Sequence, residues 1–244
     1  MAIRLYHDWD SVCSFKVRMC LAEKELAWDS ERIDLIAFEN LSPSYLALNP
    51  NGVVPTLRDG DLVIIESSVI NEYLDERYTA KPLASSDPAQ RAAMRIWVKY
   101  QDDVLYPAQR PATFQLMVRR KLAALSQDEI AALVTRHPQP ERARHFLSWA
   151  SGTPDPKVVE DAKEKLRQVV ERLNKRLQSN PWLAGSRFSL AEIAFAPFID
   201  RLERLRFQEL WQEKPAVADW MERVKARPSF AAAKSPVEFE MPGP

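Results

Sequence analysis

Glycine and excess charge are scarce in this sequence, and each scarcity excludes a class of function. Only 5 of the 244 residues are glycine, and no glycine-rich loop of the kind that cradles phosphate groups is present. Lysine and arginine together number 34, as do aspartate and glutamate. Nothing therefore predicts a general attraction to nucleic acid or to an anionic membrane surface. No apolar run approaches the roughly 18 residues that a membrane-spanning helix needs.

Cysteine and histidine are also few, and their spacing favours neither a metal site nor a disulfide. The three histidines and two cysteines show no metal-ligand pattern. Cys13 and Cys20 lie seven residues apart on one predicted helix, which a disulfide between them would break. We therefore predict reduced thiols and a cytoplasmic protein. Residues 1–6 lack the long apolar region of a signal peptide and are predicted to begin a first strand.

The first eighty residues alternate between strand and helix patterns. Alternating apolar residues predict four strands, at residues 3–7, 28–34, 56–58 and 62–65. Helical spacing predicts two helices and a shorter helical stretch, at residues 14–26, 67–77 and 42–48. Asp59-Gly60 is a strong signal for a hairpin between the last two strands. The predicted order is βαβ, then a short helical stretch, then ββα.

Beyond residue 88 the pattern predicts helices only. Pro88 suits a first helical turn, and a long helix follows to residue 122, kinked or split at Pro107 and Pro111. Further helices are predicted by the same spacing, at residues 127–135, 141–150, 157–178, 190–205 and 216–226. The chain has room for two domains. We predict an N-terminal domain at 1–80, a linker at 81–87 and an all-helical C-terminal domain at 88–244.

The first motif with chemical content is Ser11-Val12-Cys13-Ser14, which follows a predicted strand and opens a helix. The start of a helix leaves backbone N–H groups unpaired and carries roughly half a positive charge. It stabilises a thiolate, whether on Cys13 or on a bound ligand, and Ser11 can donate its hydroxyl proton to that thiolate. The alternative is that Ser11 or Ser14 only caps the helix and Cys13 is a small buried residue.

Two further motifs predict groups that would hold a peptide-like ligand. Val54-Pro55 enters a strand and suits a cis peptide bond, which exposes backbone groups along a strand edge. Glu66-Ser67 runs from a strand into a helix, so that Ser67 and free N–H groups can bind a carboxylate while Glu66 pairs with an ammonium group. An ordinary trans turn and an ordinary helix cap are the respective alternatives.

These three motifs, in this order, resemble those of the glutathione transferases. The resemblance continues in Ser189-Leu190-Ala191-Glu192, which looks like the buried capping box of that family. Residues 182–185 and 223–230 also look typical of that family. The resemblance spans nearly the whole chain. It implies an α/β thioredoxin-like N-terminal domain of βαβ-ββα order, followed by an all-α C-terminal helical bundle domain.

The resemblance also implies where glutathione binds. The Val54–Pro55 peptide would be cis, and Glu66 and Ser67 would bind the γ-glutamyl end of glutathione. Many members place a lysine, histidine or glutamine near position 40 against the glycine carboxylate, and here Asn40 is the candidate.

Ser11 and Cys13 are the candidate catalytic residues. The motif is similar to that of the serine-type classes, including the zeta class, where the first serine activates the thiol. It is also similar to the bacterial tetrachlorohydroquinone dehalogenases, which use both a serine and a cysteine at these positions. The helical stretch between about residues 107 and 156 resembles an insertion in that group and in the bacterial β-etherases.

The substrate pocket has its own candidates. Trp9 lies beside the predicted site and either lines a hydrophobic pocket or packs on the surface. Tyr106, Phe114 and Met117 lie where the first helix of the second domain would face glutathione.

The resemblance implies an enzyme, a glutathione transferase that takes glutathione as co-substrate. It would ionise the thiol and direct it at a hydrophobic electrophilic small molecule, as in detoxification, and would be a homodimer. Two alternatives stay open. Cys13 would act covalently in a reductive dehalogenase or thiol transferase, or the protein would be a non-catalytic binding or regulatory module. The sequence does not name the electrophile.

Overall fold

The computed structural model describes residues 2–122, 125–141 and 154–235. Its N-terminal part is built on a four-stranded sheet of β1 (Ile3–His7), β2 (Trp28–Arg32), β3 (Thr56–Asp59) and β4 (Leu62–Ile65). The order across the sheet is β2-β1-β3-β4, with β1 and β2 parallel and the other pairs antiparallel. The hairpin predicted at Asp59-Gly60 is confirmed, and Gly60 has a φ of 63°, which glycine adopts without steric cost.

Helices cover both faces of this sheet. They are α1 (Val12–Glu23), α2 (Pro43–Leu46) and α3 (Ser67–Arg77). Ile3 and Leu5 point to one face, as alternation along a strand requires, and belong to the main core together with residues of α1 and α3. Tyr6 points to the other face, where it packs with Ile33, Tyr45 and Val54. The βαβ-ββα order is confirmed, although α2 and β2 are shorter than predicted.

The rest of the described chain is helical, apart from an isolated bridge between Trp182 and Gly185. The helices are α4 (Pro88–Tyr100), α5 (Tyr106–Thr113), α6 (Arg119–Leu122), α7 (Gln127–Arg136), α8 (Pro156–Leu177), α9 (Leu190–Arg204), α10 (Pro215–Lys225) and α11 (Pro228–Ala233). The all-helical second domain is therefore confirmed. The helix predicted at 141–150 lies almost wholly outside the described residues, and α11 was not predicted.

The long helix predicted from residue 89 to 122 is not split at its prolines. The chain stays helical, and π-helical turns at Gln101–Leu105 and Phe114–Val118 flank α5, which contains both Pro107 and Pro111. A proline removes one backbone N–H from the helical ladder. A π turn shifts the hydrogen-bond register by one residue and lets the helix continue past the defect.

Helix α9 forms the centre of the second domain. Every residue from Leu190 to Leu202 is buried. The predicted capping box is confirmed, since Ser189 Oγ and the Ser189 N–H both donate to Glu192 Oε2, each at 2.9 Å. The Leu183 N–H donates to the other carboxylate oxygen at 2.5 Å. The start of α9 is thus capped reciprocally by Ser189 and Glu192.

Polar contacts join the two parts of the molecule on either side of α1. Lys16 is completely buried, and its Nζ donates to Gln101 Oε1 at 2.7 Å and to Asp102 Oδ1 at 3.1 Å. Glu23 accepts from Arg227 Nη2 at 2.7 Å and from Ser229 Oγ at 2.5 Å. These contacts hold α1 against the helical domain. The domain limits at residues 80 and 88 stay predictions.

Candidate active site

A cavity of about 550 Å³ lies between the loop after β1 and the helices that begin the second domain. Seven residues that the sequence singled out line it: Trp9, Ser11, Cys13, Asn40, Val54, Tyr106 and Phe114. Two grooves of about 790 and 650 Å³ lie elsewhere and contain none of the predicted site residues. Charged and polar residues make up most of the lining of both grooves. The predicted site residues are therefore concentrated in the smaller cavity.

Ser11 begins helix α1 and faces this cavity. Its Oγ accepts a hydrogen bond from the Ser14 N–H at 3.2 Å, and its carbonyl accepts from the Phe15 N–H at 2.9 Å. Ser11 is therefore a helix cap, as the simpler alternative had it. The capping bond uses an oxygen lone pair, so the hydroxyl hydrogen is left to donate elsewhere. Capping and donation to a thiolate are compatible at this residue.

Cys13 also lines the cavity, in the first turn of α1, and it is half-buried. Burial raises the pKa of its thiol, because the thiolate loses its water. The nearby Lys16 ammonium and a hydrogen bond with Ser67 lower that pKa, while the Asp102 carboxylate raises it. Burial has the largest effect, so the Cys13 thiol stays protonated near neutral pH. The helix start alone predicted a stabilised thiolate.

The second cysteine lies in the main hydrophobic core. Cys20 is completely buried, and burial raises the pKa of its thiol too. Both cysteines are free thiols.

The segment before β3 has its backbone held by side chains. The Val54–Pro55 peptide is cis. The carbonyl of Val53 accepts from Tyr45 Oη at 2.7 Å and from Asn49 Nδ2 at 2.8 Å. Val54 lines the cavity, whereas Pro55 is buried next to it and does not.

Glu66 and Ser67 lie next to the cavity without lining it. Ser67 is the first residue of α3, and its hydroxyl reaches the thiol of Cys13. Glu66 is exposed and has a φ of 68°, a left-handed conformation that is unusual for any residue other than glycine. In the described part of the chain, no side chain caps the first N–H groups of α3. These groups are therefore placed to receive a ligand's carboxylate.

Asn40 lines the cavity, but its side-chain amide is already engaged in a hydrogen bond within the protein. Its Nδ2 donates to the Gly52 carbonyl at 2.8 Å, and its buried Oδ1 has no partner among the described residues. A carboxylate needs donors, and one of the two amide hydrogens is already engaged. The role predicted for Asn40 at the glycine end of glutathione stays a prediction.

The substrate-pocket candidates separate into two groups. Tyr106 and Phe114 line the cavity, whereas Met117 is completely buried in the main core. The π turn at Phe114–Val118 explains this difference, because its wider spacing brings Val118 to the cavity and turns Met117 away.

Trp9 forms a rigid wall of the cavity. The ring of His7 meets the Trp9 ring edge-on, with the ring centres 4.8 Å apart, and the guanidinium of Arg18 lies 4.7 Å from the Trp9 ring. Burial, with a smaller contribution from the Arg18 guanidinium, lowers the pKa of His7 to about 4, so His7 is neutral at physiological pH. Trp9 therefore lines the cavity, and its role in binding the substrate stays a prediction.

Sequence reasoning missed several cavity residues. Gln109 and Thr113 follow Tyr106 at helical spacing and line the same wall, so periodicity would have found them. Arg201 also lines the cavity and comes from the last turn of α9. No local pattern connects it with Asp10, about 190 positions earlier in the chain, whose carboxylate it contacts at 3.0 Å.

The described residues also bear on two other kinds of site. They contain no group of three or more histidine, cysteine, aspartate or glutamate side chains placed to hold a metal ion. Among their helices, none combines the length and the apolar character needed to cross a membrane.

The chain is similar to known proteins along almost its whole length. The family models for the N-terminal and C-terminal domains of glutathione S-transferase match residues 10–77 and 117–228. Glutathione S-transferase F14 of Arabidopsis thaliana is 30% identical over 217 residues, which cover 86% of this chain and 74% of the relative. A tetrachloro-p-hydroquinone reductive dehalogenase of Sphingobium chlorophenolicum is 28% identical over 239 residues, 95% of each chain.

A solved structure agrees with the fold. The β-etherase LigF of Sphingobium sp. strain SYK-6 superposes with a TM-score of 0.86 at 26% identity, covering 96% of this chain and 98% of the other. The thioredoxin-like domain followed by a helical domain is therefore shared along the full length of the match.

Proposed function

We propose that this chain, which belongs to the glutathione S-transferase family, uses Ser11 to activate the thiol of glutathione for attack on a hydrophobic electrophile. The chain is an enzyme of that family, with glutathione as its co-substrate. What is proposed is the identity of the activating residue, the position of glutathione and the class of electrophile.

The position of the Ser11 hydroxyl supports this proposal most directly. It lies at the start of α1, faces the cavity and keeps its hydrogen for donation. A free thiol with a pKa near 8.5 is only about 3% ionised at pH 7. Lowering that pKa by about two units makes roughly three quarters of it thiolate, a change of about 2.7 kcal/mol. One charged hydrogen bond and a helix start supply energies of this size.

Glutathione would lie with its γ-glutamyl end at α3 and its thiol at Ser11. The uncapped N–H groups at Ser67 suit the carboxylate, and Glu66 suits the ammonium group. The cysteinyl part would then run along the backbone at Val54, which lines the same cavity. This placement brings the thiol into the apolar part of the cavity.

The walls of the cavity favour an aromatic electrophile. Trp9, Phe38, Tyr106 and Phe114 supply ring surfaces, and aromatic rings pack well against one another in offset or edge-on geometry. One relative fits this class by name, since it is a tetrachloro-p-hydroquinone reductive dehalogenase. The alternative of a non-catalytic module is not favoured, because the relatives of this chain are named as glutathione S-transferases.

A second candidate function uses Cys13. In that route the Cys13 thiolate would attack the sulfur of a glutathione–substrate conjugate and form a mixed disulfide, while the substrate carbon leaves with the bonding electron pair and takes up a proton. A second thiol then resolves the mixed disulfide. The position of Cys13 on the cavity wall and the similarity of the chain to a reductive dehalogenase favour this route. Its raised pKa opposes it, because the thiolate is the reactive form.

Matched substitutions separate the two routes. Ser11→Ala should lower the conjugation rate by about 10–100-fold, a loss of roughly 1.4–2.7 kcal/mol of transition-state stabilisation. It should also raise the pKa of bound glutathione, measured from the ultraviolet absorbance of the thiolate. Cys13→Ser should leave conjugation of halogenated aromatics nearly unchanged.

The opposite result would overturn this assignment. If Cys13→Ser abolishes turnover while Ser11→Ala does not, and mass spectrometry finds glutathione bound to Cys13, the dehalogenase-like route is the correct one. Halogenated aromatics and aryl ethers should both be screened, so that the conclusion does not depend on one leaving group.

We also propose a cytoplasmic homodimer that acts in detoxification. The free cysteines support a reducing compartment. Leu62, Val69, Ile96 and Val104 are large apolar side chains exposed on β4, α3, α4 and the π turn after it, and the ion pair of Arg95 with Glu72 holds α3 beside α4. A second copy of the chain would cover such exposed apolar side chains, since twofold pairing is the commonest assembly. A sedimentation mass near 28 kDa at micromolar concentration would exclude the dimer.

A further inference from the structure

The loop that leads into Ser11 is held by arginines at three consecutive carbonyl groups. Arg18 Nη1 donates to the carbonyl of Asp8 and Arg18 Nη2 to that of Trp9, each at 3.1 Å. Arg201 Nη2 donates to the carbonyl of Asp10, the residue directly before Ser11. Arg18 belongs to α1, whereas Arg201 comes from α9 in the helical domain.

The side chain of Asp10 strengthens the contact with the helical domain. Its carboxylate accepts from Arg201 Nη2 at 3.0 Å and from Arg204 Nη1 at 2.8 Å. Arg201 is only 5% exposed and lies on the last turn of α9, whose preceding residues are buried. The Arg201 guanidinium is therefore held in place by the core of the second domain. A planar guanidinium loses little further conformational freedom when it forms its hydrogen bonds.

We propose that Arg201 is a positioning residue, through which the helical domain sets the place of the Ser11 hydroxyl against the glutathione thiol. This inference rests on the proposed role of Ser11. A carbonyl held from outside the N-terminal domain fixes the peptide plane between Asp10 and Ser11, and with it the direction in which Ser11 leaves the loop. Displacements of about 1 Å at a reacting group cost up to roughly a hundredfold in rate.

Other charges lie near this contact and must be separated from it. Asp8, Asp200 and Arg204 act on the guanidinium of Arg201 in addition to Asp10, and Asp200 is paired with Lys234 at 3.2 Å. Replacing Arg201 therefore removes both a hydrogen bond to the backbone and a positive charge. A positive charge near a thiolate lowers the pKa of the thiol by itself.

Arg204 offers a matched control. It lies one turn further along α9 and contacts the same carboxylate of Asp10, but the Asp10 carbonyl is held by Arg201. Arg201→Gln and Arg204→Gln remove the same charge from the same carboxylate. Only Arg201→Gln also removes the hydrogen bond to the backbone before Ser11. Arg201 lines the cavity and Arg204 does not, so the two removed charges also differ in their field at the thiolate. The comparison in a Ser11→Ala background, described below, separates positioning from this electric field.

The test measures the pKa of bound glutathione by thiolate absorbance, together with kcat and the KM for glutathione. Arg201→Gln should raise the thiol pKa by about 0.5–1 unit and lower kcat about tenfold, with KM changed less than about threefold. Arg204→Gln should shift the thiol pKa by less than about 0.3 unit and change kcat and KM by less than about twofold. Arg201→Lys should recover part of the loss, because one ammonium reaches one acceptor but lacks the planar fork.

Equal pKa shifts in the two glutamine variants would overturn the proposal, because the effect would then be the field alone. The pKa readout reports only folded, glutathione-binding molecules, so loss of folded protein does not imitate the effect. If Arg201→Gln does not fold, the same comparison is made between Arg201→Lys and Arg204→Lys.

A double variant ties the effect to Ser11. In a Ser11→Ala background, Arg201→Gln should raise the thiol pKa no further than Arg204→Gln does, because the positioned hydroxyl is already gone. A full additional shift would also overturn the proposal. If Ser11→Ala alone leaves the thiol pKa unchanged, the assignment of Ser11 fails instead, and the two failures are distinguishable.

Discussion

Helices α1 and α9 both begin with a serine, and the two serines differ in the fate of the hydroxyl hydrogen. Ser189 donates it to Glu192 at 2.9 Å, three positions along α9. At α1 the corresponding position is Ser14, which has no carboxylate, so Ser11 can cap its helix and still donate into the cavity. A reciprocal capping box makes a stable helix start. Omitting its acidic partner leaves a helix start available for chemistry.

The same contrast holds for two other helix starts. Ser126 of α7 has its own box, in which its hydroxyl donates to Glu129 at 2.8 Å. Helix α3, whose start lies next to the cavity, has no side-chain cap within the described structure. These two serines of the helical domain therefore stabilise their helices, whereas the N-terminal domain leaves the Ser11 hydroxyl hydrogen and the first N–H groups of α3 available to a ligand.

The largest expected effect is at the open start of α3. Replacing both Glu66 and Ser67 by alanine should weaken glutathione binding by tenfold or more, because each lost charged hydrogen bond costs roughly 1.5–3 kcal/mol. Calorimetric titration with glutathione measures this directly. Ser189→Ala, at a closed helix start far from the ligand, is the control and should bind normally. Unchanged affinity in the double variant would exclude this placement of glutathione.

A second prediction compares one buried titratable group from each domain. The pKa of His7 is lowered to about 4 and that of Glu192 is raised to about 7, both chiefly by burial. Between about pH 4.5 and 6.5 the unfolded chain binds the histidine proton more readily than the folded chain does. The contribution of His7 to the free energy of unfolding therefore decreases as pH falls. Glu192 keeps its proton more readily in the folded chain, so its contribution to the free energy of unfolding decreases as pH rises.

The two effects oppose each other, so the stability of the native protein should change little over this range. Glu192→Gln should expose the His7 dependence, and the free energy of unfolding should fall on acidification by up to about 1.4 kcal/mol per pH unit. His7→Gln should expose the opposite slope. Urea unfolding at several pH values measures both. Identical slopes in the two variants would contradict the assignment.

The smallest expected effect distinguishes a buried box from an exposed one. Ser189→Ala should lower the free energy of unfolding by about 1–2 kcal/mol, since N-cap losses are largest where the cap is buried. Ser126→Ala, whose box is exposed, should cost about 0.5–1 kcal/mol. Neither should change the pKa of bound glutathione. An equal loss for both would mean that burial does not matter to these caps.

Much of the fold was predictable because its signals are local. The alternation at Ile3–His7, the Asp59-Gly60 turn and the spacing in Ser67–Arg77 each depend on residues close in the chain, and the structure confirms all three elements. The Ser189 capping box is equally local, and it too was found. The motif order could also place Ser11, Val54 and Asn40, which meet at one cavity.

The sequence by itself therefore determined most of the elements, their order, and which helix starts carry serine. Only the tertiary structure decided that burial keeps Cys13 protonated, that Met117 turns into the core, and that Arg201 reaches Asp10. The physical reason is the same in each case. Desolvation, the register of a π turn and a contact across about 190 residues depend on what surrounds a side chain in space, whereas a sequence pattern records only its neighbours along the chain.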